Sequence, residues 1–282
     1  MRAHSALLPG NRLHLQHGPI DLVIHADGPG SIAACHAAQQ RFEHVLQELV
    51  DDLPQLRQPP NPSTLPHSPI ARAMAMAVNP FTNDTFITPM AAVAGAVADD
   101  ILSHMRTHNL TRAYVNNGGD IAFHLAADHS FTTAIHALNH TPLGSIRLEA
   151  GNPSRGMATS GLGGRSLTRG IAQSVTVLAQ TAAMADAAAT IIANAVDLPD
   201  HPAIHRKPAC DVRPDSDLGH HLIVTHHDPL SPADTSRALD SGQAVVHQLQ
   251  SRGLIHAAIL FLQGQHRILG PTEILQPMVM HA

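Results

Sequence analysis

The sequence predicts an α+β fold of antiparallel sheets with packed helices. Strand-like segments arrive in runs separated by tight turns, with few of the strict strand–helix–strand units that a parallel sheet needs. Hydrophobic residues make up 44% of the 282 and charged residues only 14%, enough apolar mass for a sizeable core. A helix built mainly of alanine, at 181–196, is slim enough to pack very closely on its neighbours. At this length the chain is either one domain over 1–282 or two intimately packed halves.

From the N-terminus, residues 12–26 alternate loosely between apolar and polar and close on Asp27-Gly28-Pro29-Gly30, the pattern of a strand or hairpin with a turn. Ser31 is the expected N-cap of a helix over 32–53, where Phe42, Val45, Leu46, Leu49 and Leu53 fall at helical spacing. Pro54 and the proline-rich run 58–69 predict an extended connector, the best break near 54–69. Residues 86–88 read as a short strand stopped by Pro89, followed by a helix of small residues over 90–108. The segment 112–126 is a strand pair interrupted by Asn116-Asn117-Gly118-Gly119-Asp120. Strands follow at 131–138, 145–148, 157–161 and 172–179, then the alanine helix. The stretch 199–219 is rich in Pro, Asp and His and reads as irregular. A strand at 222–225, a helix capped by Ser231 to about 251, and a hairpin over 257–269 turning at Gln263-Gly264-Gln265 complete the chain. A loose duplication is compatible with strand, turn and alanine-rich helix in both halves.

Charge narrows the function. With 17 Lys+Arg against 22 Asp+Glu the net charge is -5, which disfavours a nucleic-acid partner. Aromatic residues are 2%, with Tyr114 the single tyrosine and no tryptophan, so base-stacking platforms are disfavoured too. Lys207 is the single lysine, beside 23 histidines. No apolar run reaches the roughly 20 residues of a membrane span. The first ten residues break at Pro9-Gly10 before any signal-like apolar core, so the expected location is the cytoplasm. Cys35 and Cys210 form no metal-binding spacing and read as two reduced thiols.

Four clusters could carry chemistry. Asp186 and Thr190 stand at i and i+4 and project from one helix face, offering hard oxygen ligands to Mg²⁺; the competing reading is an acid that complements a helix start. Gly118-Gly119-Asp120 lets a ligand or backbone approach closely, or simply makes a hairpin turn. Thr159-Ser160-Gly161, with Gly163-Gly164-Arg165 beyond, supplies amides, hydroxyls and a guanidinium suited to phosphate oxygens, or a mobile glycine loop. The run from Thr88 to Gly95 is a strand-to-helix junction whose helix N-terminus could face an anion. His220-His221 and His226-His227 bracket a strand and could bind a transition metal, although the scatter of histidines favours a compositional habit.

In this order the four clusters resemble the ApbE superfamily, whose characterised members cleave FAD and attach FMN to a threonine of a target protein. The resemblance spans roughly 86–196, and its most specific part is Thr176-Val177 followed by Ala185-Asp186-Ala187-Ala188-Ala189-Thr190. It implies a tunnelling-fold α+β architecture with two similar halves. It implies Asp186 and Thr190 as Mg²⁺ ligands, with a backbone carbonyl near Ala91 as a third. It also implies a flavin nucleotide along Gly118, Gly119 and Asp120; Thr88, Thr159, Ser160 and Gly161, at the matching motifs, and Arg165, by its own chemistry, are the further candidates for the ligand surface. Asp120 is the candidate general base, and Arg165 could clamp a phosphate. A protein acceptor, a homo-oligomer and the absence of membrane and nucleic-acid partners are all compatible with it.

Two departures matter. The transferases open the strand–helix junction with an aspartate and place a lysine or glutamate just before the helix glycine; here those positions are Thr88 and Ala94, before Gly95. Their His-x-x-Asp-Pro-x-Thr-Gly segment is missing from 162–175. The pattern is similar to the cytoplasmic branch of the superfamily. It leaves open Mg²⁺-dependent FMN transfer from FAD, a non-catalytic flavin or small-ligand binding protein, and another small-molecule enzyme on the same site.

Overall fold

Alternation of apolar and polar residues folds the N-terminal hairpins. In β2 (Arg12–His17) and β3 (Ile20–Asp27), Leu13, Leu15, Ile20, Leu22 and Ile24 point to one face and are buried. β1 (His4–Leu8) pairs antiparallel with β2, and β2 with β3. β3 then pairs with β4 (Arg112–Asn117), and β4 with β5 (Asp120–Leu125). β8 (Gly156–Ser160) adds to β5 through Met157 opposite Ile121 and Gly156 opposite Ala122. The computed structural model describes residues 3–61, 63–136, 142–164, 166–271 and 275–276.

Three helices lie between β3 and β4 in sequence. α1 (Ser31–Leu56) buries Ala34, Ala38, Phe42, Val45 and Leu49 against β2 and β3. α2 (Pro69–Val78) and α3 (Val93–Met105) complete the cover, α3 over β4 and β5. Each large side chain removed from water here contributes about 1.5–3 kcal/mol. Arg41 ties α1 to α3, reaching Asp100 Oδ2 at 2.7 Å while its other nitrogens grip Glu48. These elements, with Glu149–Ala158 and Ala179–Ala187, form the first of two compact units.

The second unit holds Thr132–Leu148, Thr159–Leu178 and Ala188–Ala282. β12 (Ala257–Leu262) is buried at every position and pairs antiparallel with β9 (Ser174–Ala179) and β13 (Gln265–Leu269). α6 (Pro232–Ser251) covers β12 and β13, its start fixed by Ser231 Oγ accepting the Asp234 amide. β10 (Ile204–Pro208) and β11 (Leu222–His227) make a two-stranded ribbon, with the short α5 (Ala209–Val212) between them. β6 (Ser130–His136), β7 (Pro142–Glu149) and β14 (Leu275–Gln276) form a three-stranded sheet. α4 (Ala182–Ala195) begins in the first unit and ends in the second.

The α+β reading holds, and several local expectations are corrected. Gly30, not Ser31, occupies the N-cap of α1, and Pro54 lies inside that helix, which continues to Leu56. A proline so near the C-terminus forfeits few hydrogen bonds, and burial of Leu56 holds the last turn. Pro69 starts α2 instead of ending a connector, because N1 is the place where a missing amide costs nothing; Ser68 Oγ caps it. Residues 86–88 belong to no strand, and Pro89–Ala92 is a 3-10 turn that leads from the extended Thr88 into α3. β1 escaped the sequence reading because its side chains are exposed, and β10 because Ile204 is the only apolar side chain before a polar run closed by Pro208. Both cysteines are free thiols, and no described helix is long and apolar enough to cross a membrane.

Candidate functional site

The first unit gathers the glycine junction, the Gly-Gly-Asp turn and the start of the alanine helix into one corner. Gly118 (φ 66°) and Gly119 (φ 115°) both take positive φ, the requirement of a two-residue hairpin loop between Asn117 and Asp120. Asn116 Oδ1 accepts the Gly119 amide at 2.8 Å and fixes the loop. Asn117, buried at the end of β4, donates from Nδ2 to the Ala94 carbonyl at 3.1 Å. That bond locks the turn onto the first turn of α3.

Opposite stands Asp186. The Gly95 amide donates to its Oδ2 at 3.1 Å, and the Ala94 amide also donates to this carboxylate. A little of its surface is open, yet protein packs around it densely enough to strip water from the carboxyl group. That burial, and next the negative charge of Asp120, raise its pKa well above the ordinary carboxylate range. The two amides pull the other way, and Asp99 adds further repulsion.

Asp99 belongs to the same array. Its two oxygens accept the amides of Ala182 (3.0 Å) and Ala183 (2.8 Å), capping α4 from a neighbouring helix. Burial pushes its pKa up to about 6, against the pull of those two amides. Sequence reasoning gave Asp99 no role. The available signal was Gly95 and Asp99 at i and i+4 on α3: the glycine admits α4 closely, and the acid meets its unsatisfied amides. A Cβ on Gly95, or on Gly156 of β8, would overlap the backbone of Thr181–Ala182.

The remaining predicted residues are placed as follows. Thr88 is buried at the head of the 3-10 turn, and Ala91 lies within that turn, its amide donating to the Thr88 carbonyl at 3.1 Å. Thr190 stands one turn beyond Asp186 on α4 and belongs to the second unit. Thr159, Ser160 and Gly161 also belong to the second unit; Thr159 Oγ1 is 2.9 Å from Thr176 Oγ1. Gly161 has φ 135°, and the loop after it is held by Leu162 and Gly163 amides on the Ala172 and Gln173 carbonyls. Arg165 lies outside the described residues. Tyr114 is already engaged, stacked on His25 and edge-on to Phe131. At the other end of α3 the first unit has a cleft of about 620 Å³ lined by Asp99, Arg106, Phe123, Arg155 and Thr181 among others.

Comparison with known proteins is consistent across sequence and fold. The family model described as AbpE bacteria matches residues 5–268. A UPF0280 protein of Methanopyrus kandleri is 34% identical over 177 residues, 62% of this chain and 69% of that protein. A UPF0280 protein of Methanothermobacter thermautotrophicus is 37% identical over 116 residues, 40% of this chain and 44% of the relative. The matched stretch thus spans about half the length of several of these relatives. The structure of the flavin transferase ApbE from Vibrio cholerae superposes with a TM-score of 0.53 at 12% identity, covering 95% of this chain and 97% of that one, a likeness of fold. By the extent of the family match, the chain belongs to the AbpE bacteria family.

Proposed function

We propose that the chain is a flavin transferase of the ApbE type, taking FMN from FAD with Mg²⁺ and passing it to a protein hydroxyl. The carrying observation is Asp186: a desolvated carboxylate, pressed by the charge of Asp120, beside the open Gly-Gly turn. Hard oxygen donors and excess negative charge in one corner fit a small divalent cation. In this reading Asp186, Thr190 and the Ala91 carbonyl hold the ion. When bound, Mg²⁺ supplies charge neutralisation at the pyrophosphate oxygens. The Gly95 amide keeps Asp186 oriented, while Gly118 and Gly119 let the nucleotide lie against backbone. In the same reading Asp120 takes the acceptor's proton. Thr88, Thr159, Ser160, Gly161 and Arg165 complete the ligand surface.

The second reading, a flavin or small-ligand binding protein without transfer, is favoured by Thr88 and Ala94, where the transferase pattern has ionisable groups. Incubation of the chain with FAD, Mg²⁺ and candidate acceptor proteins separates the two. Released AMP together with flavinylated protein supports transfer. Tight, unreacted flavin supports binding, and the absence of flavin affinity overturns both.

A further inference from the structure

The second unit carries a cluster of nitrogen and oxygen donors that the flavin reading leaves unused. Across the β10–β11 ribbon His205 faces His226, at a register irregularity between His205 and Arg206. Their imidazoles stack with centroids 4.1 Å apart and planes 8° from parallel. Asp228 follows β11, and its Oδ2 lies 3.1 Å from His205 Nε2. One ligand atom from each of the three falls within 4.8 Å of the others.

Thr225 gives the second, independent observation. Its hydroxyl donates to the His205 carbonyl at 3.2 Å, so the single hydroxyl proton is committed. The same oxygen lies 3.3 Å from His226 Nδ1 and can only accept there. This arrangement favours the His226 tautomer with its proton on Nδ1, which leaves the Nε2 lone pair open to a metal. On His205, Nε2 faces Asp228, so a metal ion between them would take the Nε2 lone pair of the tautomer that carries its proton on Nδ1. The neighbouring guanidinium, Arg206, is committed to Asp197 and the Arg169 carbonyl, so it does not compete for Asp228.

We propose that His205, His226 and Asp228 bind a borderline divalent transition-metal ion of the Zn²⁺ class. Two imidazoles with one carboxylate select such an ion over Mg²⁺ and Ca²⁺, which prefer all-oxygen sites. Metal–ligand bonds of about 2.0–2.2 Å require the three donor atoms to close in. His226 and Asp228 are exposed, and the two stacked imidazoles must turn so that their in-plane lone pairs converge on the ion. Three protein ligands leave the fourth tetrahedral position to water. The three donors share no residue with the flavin reading, so this site is tested separately from it.

The test titrates the full chain with Zn²⁺ by calorimetry and with Co²⁺ by visible absorption. Because 23 histidines give background binding, wild type is compared with His226→Gln, Asp228→Asn, Thr225→Val and the control His247→Gln. Melting temperature and circular dichroism check that each variant is folded. The expected result is one Zn²⁺ per chain, tetrahedral Co²⁺ bands, and unchanged behaviour in His247→Gln. His226→Gln and Asp228→Asn should lose the bands, and Thr225→Val should weaken binding roughly tenfold through the lost tautomer control. Wild type without tetrahedral bands, or a folded His226→Gln that binds Zn²⁺ as tightly as wild type, overturns the site.

Discussion

Asp52 and Asp186 are two shielded carboxylates that the fold shifts in opposite directions, and the difference lies in what each one faces. Asp52 is 2% exposed but shielded close to the surface. Burial is its largest single influence and raises its pKa, yet the amides of His67 and Ser68, both donating at 2.8 Å, together with the Ser68 and His67 side chains, bring it to about 2. A folded-state value below the ordinary 3.8 means that the unfolded chain binds more protons between those limits. The resulting stabilisation, roughly 2 kcal/mol, is present above pH ~4 and is lost as pH falls through ~2. Asp52→Asn should therefore lower stability by about that amount at neutral pH, with the gap from wild type closing toward pH 2 in urea titrations. Asp186 has the opposite balance: burial and then the charge of Asp120 raise its pKa by more than the Gly95 and Ala94 amides lower it. Its sequence context announced a carboxylate on a helix face; the repulsion from Asp120 appears only when the hairpin turn is brought to α4.

The decisive element is α4, whose first turn is clamped between α3 and β8. Alanine at 182, 183, 185, 187, 188 and 189 leaves a narrow cylinder, and Gly95 and Gly156 let its backbone touch theirs. Gly95→Ala would drive a Cβ into the Ala182 carbonyl, so a loss of about 3 kcal/mol is expected, seen as a lowered melting temperature. Thr181 Oγ1 caps the Met184 amide from within the segment, and Asp99 takes the Ala182 and Ala183 amides that Thr181 leaves. Asp99→Ala should cost about 1 kcal/mol and speed hydrogen exchange at the Ala182 and Ala183 amides. Its pH signature is opposite to that of Asp52. With a folded pKa raised to about 6, the protonated acid favours the folded state; that contribution is complete below ~4 and lost as pH rises through ~6. Wild-type stability relative to Asp99→Asn should accordingly fall between pH 4 and 7 in parallel denaturation curves. Helices were the most legible elements, since α1, α4 and α6 carry the 3.6-residue period. Pro69 misled because a proline that begins a helix and one that breaks it look alike until the cap at Ser68 is seen.

On the scale of the whole molecule, a ligand that binds the folded state alone must stabilise it. If the Asp186 corner holds Mg²⁺, an ion concentration one hundred times Kd should add about 2.7 kcal/mol. Calorimetry should then show a raised transition in wild type and no Mg²⁺ effect in a folded Asp186→Asn; an equal response in both would remove the ion from this corner. The family and the α+β class were legible in the residues themselves, because motif order and hydrophobic period are properties of a linear chain. The turn at Gly118-Gly119, the cap at Ser231 and the hairpin at Gln263-Gly264 belong to the same category, since each depends on neighbours within a few positions. Only the tertiary structure brought Asp99 to the amides of α4, Asn117 to the Ala94 carbonyl, and His205 to His226 and not the sequence-adjacent pairs to one another. Such contacts join residues tens of positions apart through strand register and helix packing, and these are fixed by the burial of the whole core.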